Sequence, residues 1–431
     1  MKICMFTNTY LPHVGGVARS VNSFATELRS RGNEVLVIAP VFPGYEAHDS
    51  EETDIIRVPA IQQFNGSDFS LSIPVPFFID ERIDAFDPDI IHSHHPYLLG
   101  DAALRAARRR RLPLVFTHHT LYERYVHYVP GQFEKMQQFA AILSTLYANL
   151  CDHVIAPSQS IAVLIRDRGV NMPVTEIPTG IDIDFFSKGN GNRFRKTHGI
   201  KKTALVIGHL GRLAPEKNLE YLAAAVSRVI QDIPEAVFLL VGDGPNKEEI
   251  NKTFKEKNLG RQLVLTGSLS GKPLADAYHA MDMFVFSSHS ETQGLVLAEA
   301  MAAGIPVIAL DAPGVREIVR DGVNGMLLEK DTPESMFARV LKEAILDPKK
   351  NRGRRLAAKK TAREFSRDVC TDKLYHLYES ILSSSRHAMA QHSDSLDTWD
   401  SFLLNLEIEW DLVVAKTKAL VQTVMEDDAD A

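Results

Sequence analysis

Two glutamates eight positions apart, Glu291 and Glu299, stand in the stretch Ser287–Pro306, SSHSETQGLVLAEAMAAGIP. The stretch begins as a polar loop after an apolar run. It then takes on a helical pattern in which Leu295, Leu297, Ala298, Met301 and Ala302 recur. Gly304 and Pro306 end it. A helix starting after Gly294 turns unbonded N–H groups and the positive end of its dipole outward, which suits an anion. Carboxylates beside such a site can hold hydroxyls, and the combination suits a sugar diphosphate. Arg212 and Lys217, in GRLAPEKN, add a planar fork and a point charge that can neutralise phosphates. Taken alone, the same two cations are equally well read as surface residues, one of them paired locally with Glu216. A glycosidase-like use of Glu291 and Glu299 fits poorly. Such acids sit about 5–9.5 Å apart, whereas eight helical residues rise about 12 Å.

A second group lies in the first half of the chain. Gly15-Gly16 precede a helical pattern and are either a plain turn or a close approach of ligand to backbone. His92, His94 and His95 follow one strand pattern, and His118 and His119 follow another. Histidine is a common metal ligand. However, no helical histidine pair and no nearby cysteine exist, and His118 and His119 point opposite ways on a strand. The expectation is no metal, with most of these histidines hydrogen-bonded in loops and at least one touching substrate.

The elements that must position these groups alternate. Ile3–Phe6, Glu34–Ala39, Ile55–Val58, Asp89–Ser93, Leu114–Thr117, Asp152–Ala156 and Val174–Ile177 read as strands, separated by helical patterns such as Val17–Ser30 and Leu98–Arg110. The alternation restarts at Ala204–Gly208 and runs through Ala236–Val241, Leu263–Leu265, Phe284–Phe286 and Val307–Leu310, with a short helix after Asp311–Gly314. This predicts an α/β protein of two doubly wound Rossmann-like domains with ligands in a cleft between them. The predicted N-terminal domain is 1–187 and the second is 188–365, joined through Lys188–Asn192. Residues 366–385 form a helix crossing back, and 386–431 a helical extension of unassigned role that packs or oligomerises. A nicotinamide site is excluded. The first loop is not G-x-G-x-x-G, and the second strand ends in Ala39-Pro40, without the ribose acid.

Composition sets the class. The chain has 431 residues, 45% hydrophobic and 24% charged, with net charge −7, which argues against a nucleic-acid partner. Cys4, Cys151 and Cys370 form no disulfide framework or metal spacing. No apolar run approaches a membrane span or a signal peptide, so a cytoplasmic, soluble or membrane-peripheral protein is expected. Arg105, Arg108, Arg109, Arg110 and Arg111 exceed what a helix dipole needs. With Phe77, Phe78, Leu121, Tyr122, Tyr125 and Tyr128 nearby in sequence, they are read as an anionic membrane or acceptor surface.

GRLAPEKN and ETQGLVLAEAMAAGIPV, with TNTYLPHVGGV, PTGID and GDGP, resemble the family 4 retaining glycosyltransferases across roughly residues 1–385. The resemblance implies the GT-B architecture and a metal-independent hexosyltransferase without a cofactor. In it, Arg212 and Lys217 bind the donor diphosphate and stabilise the leaving nucleotide. Glu291 contacts sugar hydroxyls. The backbone of Thr292, Gln293, Gly294 and Leu295 meets phosphate or sugar, and Glu299 holds the ribose. Gly15 and Gly16 line the site near the phosphates and acceptor, and His119 lies near the reacting sugar. It further implies front-face attack, a phosphate oxygen helping to take the acceptor proton. The stretch FTHHTLYERYVHYVPG is similar to the bacterial diacylglycerol α-glucosyltransferases. The expected reaction is therefore α-glucosyl transfer from UDP-glucose to a lipid such as diacylglycerol. A soluble or polysaccharide-directed family 4 enzyme, and a nucleotide-sugar sensor or scaffold, are the alternatives. The oligomeric state is left open.

Overall fold

The computed structural model describes residues 1–13, 15–42, 54–61, 71–72, 76–124, 133–289, 291–389 and 398–425. The chain divides into two compact units. One comprises Met1–Gly180 with Cys370–Ala431, the other Ile181–Val369.

The first unit is built on a seven-stranded parallel sheet. Its spatial order is Ile55–Val58, Glu34–Pro40, Lys2–Phe6, Ile90–Ser93, Leu114–Thr117, His153–Ala156, Val174–Glu176. The first strand shows why these runs are uniformly apolar. Ile3 and Met5 face Val21, Phe24 and Leu28 of the Gly16–Ser30 helix. Cys4 and Phe6 face the other layer, with Leu104 and Tyr147. A parallel strand covered on both faces has no polar side to alternate. Each such large side chain contributes about 1.5–3 kcal/mol by burial. Cys370, Leu374 and Tyr378, on the Arg367–Met389 helix, complete the core beside Ile3 and Met5.

The second unit repeats the plan with six parallel strands. Their order is Leu263–Leu265, Ala236–Val241, Leu205–Leu210, Met283–Phe286, Val307–Leu310, Gly325–Leu328. Phe284 and Phe286 pack to one side with Leu297 and Met301. Met283 and Val285 pack to the other with Leu222 and Val226. In both sheets the strand order reverses beside the first strand. The carboxyl ends of Lys2–Phe6 with Ile90–Ser93, and of Leu205–Leu210 with Met283–Phe286, are therefore topological switch points where ligands bind.

Several local readings change. The edge strand Gly325–Leu328 was not foreseen, because Gly322 and Asn324 just before it and Gly325 at its start mask a short apolar run. After Asp311–Gly314 the chain makes hydrogen-bonded turns, Val315 N–H to Ala312 O and Val319 N–H to Val315 O, and no helix. The division of the chain falls at Gly180 and Val369, whereas the predicted boundary was 187/188. Lys188–Asn192 lies inside the second unit, where Asn190 N–H donates to the Asp276 carboxylate.

Candidate functional site

In the second unit, the loop leaving Met283–Phe286 is clamped to the loop leaving Leu205–Leu210. Ser287 Oγ donates to the carbonyls of Lys217 and Asn218, both at 3.0 Å. Ser288 Oγ donates to the Glu216 carbonyl at 3.3 Å. These bonds hold the Pro215–Lys217 turn, from which Lys217 Nζ reaches Glu291 Oε1 at 2.5 Å. The pair is half-hidden, its side chains 16% and 15% exposed. Burial alone would raise the Glu291 pKa, but the Lys217 ammonium outweighs it, aided by the Ser288 hydroxyl, and the net shift is downward. Glu291 is thus an ionised acceptor, unsuited to be a general acid. Lys217 pairs with Glu291, so the alternative of a local pair with Glu216 fails for Lys217.

Glycines shape the rest. Gly211 runs at φ 156°, and a Cβ on Gly242 would stand 1.9 Å from its carbonyl oxygen. A Cβ on Gly244 would meet Leu213 O at 2.4 Å. The GDGP turn thus lies directly on GRLAPEKN and shapes it from behind, with Leu213 N–H bonded to Asp243 O. Gly294, at φ 74°, begins the Leu295–Ala302 helix, and no side chain caps that N-terminus. Gly314 packs so tightly beneath it that a Cβ would come 2.6 Å from Gln293 N. This is the anion-binding shape read from the sequence. Glu299, 3% exposed, accepts from the Tyr278 hydroxyl at 2.6 Å. Arg212 is exposed on the same loop as Lys217.

Three contributors escaped the sequence reading. His209, at the end of the first strand, donates from Nδ1 to the Val285 carbonyl at 3.0 Å and is stacked on Phe284 and Phe286. Burial, opposed by that carbonyl and reinforced by Lys217, lowers its pKa to about 4. Its Nε2 therefore carries a bare lone pair at neutral pH. Its position at a strand end was the available signal. Tyr278 behind Glu299 and Gly314 behind Gln293 had none, since both act across the fold.

The first unit's switch point is different in kind. The backbone N–H of Asn8 donates to His95 Nδ1 at 3.0 Å, and the Asn8 carboxamide ties to Tyr97 O and Leu99 N–H. His92 bonds Tyr378 Oη at 2.6 Å and Thr117 Oγ1 at 2.7 Å. His94 Nδ1 and His119 Nε2 share a hydrogen bond of 2.8 Å between stacked rings. Burial lowers the pKa of His92 and His95 to about 3 and of His118 to about 4. His94 and His119 are driven well below 6.5 by burial and by each other's neighbours. All five rings are neutral hydrogen-bonding groups at neutral pH. His118 and His119 diverge. His119 joins the His92–His94 stack, while His118 packs on Phe116 and Tyr122. Among the described residues no group of three His, Cys, Asp or Glu is arranged to hold a metal ion.

Gly15, at extended φ −159°, caps the Gly16–Ser30 helix, and nothing lies within 4 Å of a Cβ built on Gly16. The PTGID turn is tied to the same helix, Ser20 Oγ to Thr179 Oγ1 at 2.7 Å and Ser23 Oγ to Gly180 O at 3.1 Å.

The arginine cluster does not form an unpaired basic face. Arg109 pairs with Asp80, Arg110 with Asp80 and Asp84, Arg105 with Glu409 and Arg108 with Asp411. Arg111 ends the helix at φ 53°. The sequence counted the cations but could not see carboxylates arriving from other helices. Tyr122 is 7% exposed, buried against Tyr97 and His118, so it is no surface contact. Tyr125 and Tyr128, and the side chains of Phe77 and Phe78, lie outside the described residues. An open cleft of about 560 Å³, lined by Lys188, Asn190, Arg193, Arg195, Lys272 and His279 among others, shares no residue with the Lys217–Glu291 loops. Its arginines are held by Asp276 and Asp282.

Two Rossmann-like units, one with an ion pair and a glycine-capped helix at its switch point, define a nucleotide-sugar type of fold and site. Residues 14–185 match the profile described as Glycosyltransferase Family 4, and residues 191–364 that described as Glycosyl transferases group 1. The chain belongs to the family 4 glycosyltransferases. It is similar to the alpha-monoglucosyldiacylglycerol synthase of Streptococcus pneumoniae, 30% identical over 76% of this chain and 75% of that one. It is also similar to the GDP-mannose-dependent alpha-mannosyltransferase of Corynebacterium glutamicum, 30% identical over 90% and 91%. Among solved structures, Anabaena HepE in complex with UDP shares the fold with a TM-score of 0.72, at 21% identity, over 88% of this chain and all of that one.

Proposed function

We propose that this glycosyltransferase moves an α-hexosyl group, with retention, from a nucleoside diphosphate sugar to a lipid hydroxyl, with UDP-glucose and diacylglycerol as the donor and acceptor. The observation that carries the reading is the Lys217–Glu291 pair beside the Gly294 helix start. In this reading Lys217 and Arg212 meet the charge that develops on the leaving diphosphate. The backbone of Thr292, Gln293, Gly294 and Leu295 receives phosphate oxygens. Glu291 orients sugar hydroxyls and Glu299 the ribose. The first unit supplies neutral donors and acceptors, His119 among them, with Gly15 and Gly16 near the ligand and open space beside Gly16. No metal or cofactor enters the mechanism. Attack comes from the face the nucleotide leaves, a phosphate oxygen taking the acceptor proton.

The names of the Streptococcus and Acholeplasma relatives support the glucose and diacylglycerol halves. The wider coverage by the GDP-mannose-dependent relatives favours a second reading, in which the donor is GDP-mannose. Among the described residues no helix is long and apolar enough to cross a membrane. We place the enzyme on the cytoplasmic side, meeting its lipid peripherally, but the paired arginines no longer support that placement. Full-length protein incubated with UDP-glucose or GDP-mannose and diacylglycerol in mixed micelles tests the proposal. Mass spectrometry should show hexosyl-diacylglycerol from UDP-glucose, and proton NMR an α linkage. Product only from GDP-mannose selects the second reading. Transfer only to water-soluble sugars refutes the lipid acceptor, and no transfer to any acceptor supports a sensor.

A further inference from the structure

We infer that His209 reads a hydroxyl of the transferred hexose, accepting a hydrogen bond from it at Nε2. The inference rests on the proposed reading, in which a nucleoside diphosphate hexose lies against Lys217 and Glu291. His209 is fully buried near the end of the Leu205–Leu210 strand. The register between this strand and Met283–Phe286 ends at Gly208 and Phe284, and one residue further on the histidine ring takes over, its Nδ1 bonding the Val285 carbonyl at 3.0 Å. A carbonyl only accepts, so Nδ1 carries the ring proton and Nε2 is left as an acceptor. Among the described residues nothing bonds Nε2. An unpaired buried acceptor is costly, and native folds keep few of them without a use. His92 of the first unit shows the contrast, with both of its ring nitrogens bonded. A Cβ on Gly211 would stand 3.6 Å from His209 Nε2 and, among the described residues, within 4 Å of no other atom beyond its chain neighbours. The missing side chain thus leaves space beside the lone pair, at the start of the loop that carries Arg212 and Lys217.

Chemistry selects the occupant. Nε2 accepts and cannot donate, so a phosphate oxygen, which brings no proton, is a poor partner. Protonation does not rescue it, because burial, reinforced by Lys217, holds the ring pKa at about 4. The partner must bring an O–H or N–H of its own. A nucleoside diphosphate hexose offers these on the hexose, the ribose and the base. The charged groups that act on the ring are Lys217 and Glu291, and the ring acts in turn on Glu291. That is the end of the site given to the hexose, whereas the ribose is given to Glu299, bonded by Tyr278. The remaining competitor is the Lys217 ammonium. Stacking on Phe284 and Phe286, with the tie to Val285, fixes the ring and so the direction of its lone pair before any ligand arrives.

Two amides separate the two ring nitrogens. His209→Asn can still donate to the Val285 carbonyl but has no acceptor where Nε2 stands. His209→Gln reaches that place with its amide oxygen. Full-length parent and variants are titrated by calorimetry with UDP, UDP-glucose, GDP and GDP-mannose. For whichever sugar nucleotide the parent binds, His209→Asn should bind it about tenfold more weakly. Affinity for the matching nucleotide, which lacks the hexose, should stay within about twofold, and His209→Gln should recover most of the loss. One monodeoxy analogue of that donor should bind the parent about tenfold more weakly than the donor itself, and should bind His209→Asn no more weakly than the donor does. Equal loss for nucleotide and sugar nucleotide makes Lys217 the partner and overturns the inference. So does parental affinity in His209→Asn with loss in His209→Gln, the pattern of a strand tie alone. A parent that binds every monodeoxy analogue as tightly as the donor overturns it without any variant. A parent that binds neither sugar nucleotide overturns the proposed reaction, and the inference with it.

Discussion

The two switch points share a topology and differ in charge. In the second unit the strand ends present Lys217, Glu291 and exposed Arg212, with an ionised pair held in a half-buried loop. In the first unit the equivalent strand ends present five buried, neutral histidines. A diphosphate needs fixed positive charge, whereas hydroxyl groups need donors and acceptors that do not attract ions. In the proposed reading, one fold used twice thus supplies an anion site and a neutral hydroxyl site. The difference lies in which side chains the strand ends carry, charged in one unit and neutral in the other.

The largest effect should come from the charged side. Lys217→Met should lower the transfer rate by about 10²–10³-fold, with donor KM changed by less than about fivefold, if Lys217 stabilises the leaving group. A rise in KM alone would make Lys217 a ground-state binder. On the neutral side, His119→Ala should cost roughly 10²-fold in kcat, because it opens the stack with His94 and misplaces substrate. His118→Ala should cost under about tenfold, since that ring packs toward Phe116 and Tyr122. Equal losses would dissolve the distinction between the two rings.

The histidines also make acid a unit-specific denaturant. Their folded pKa values lie below the unfolded 6.5, so below pH 6.5 the unfolded chain takes up protons that the folded first unit refuses. The stability they confer is complete above pH 6.5 and drains as pH falls toward 3. Each contributes a slope of up to about 1.4 kcal/mol per pH unit. Among the described residues the second unit has one comparable group, His209. Both tryptophans, Trp399 and Trp410, lie in the first unit. Tryptophan fluorescence should therefore report unfolding at a higher pH than UDP binding-site probes in the second unit. Coincident transitions would contradict the asymmetry. The smallest effect should be Tyr278→Phe, which removes the hydroxyl held by Glu299. About threefold weaker UDP binding is expected by calorimetry, against about tenfold for Glu299→Ala.

How much of this was legible follows from locality. Gly294 before a helical period, and Arg212 and Lys217 at a strand end, are signals carried within a few residues. The donor loops could therefore be read in one dimension. The partner of Lys217 could not, because Glu291 arrives from another strand 74 positions away. The same limit misled the reading of Arg108, Arg109 and Arg110, whose carboxylates come from distant helices. Tyr122, grouped with surface aromatics by sequence proximity, is buried because the loop folds its ring inward beside Tyr97. The strand Gly325–Leu328 is recognisable only once Val307–Leu310 is there to pair with it. Burial and pairing at a distance are properties of the fold, and they set the charge state of Glu291 and of the buried histidines.

The division of labour is tested most directly by titrating UDP into full-length Arg212→Ala and His119→Ala proteins, side by side with the parent, by calorimetry at fixed salt. The account predicts at least about tenfold weaker binding for Arg212→Ala and parental affinity for His119→Ala. Parental affinity in Arg212→Ala, or lost affinity in His119→Ala, would contradict it.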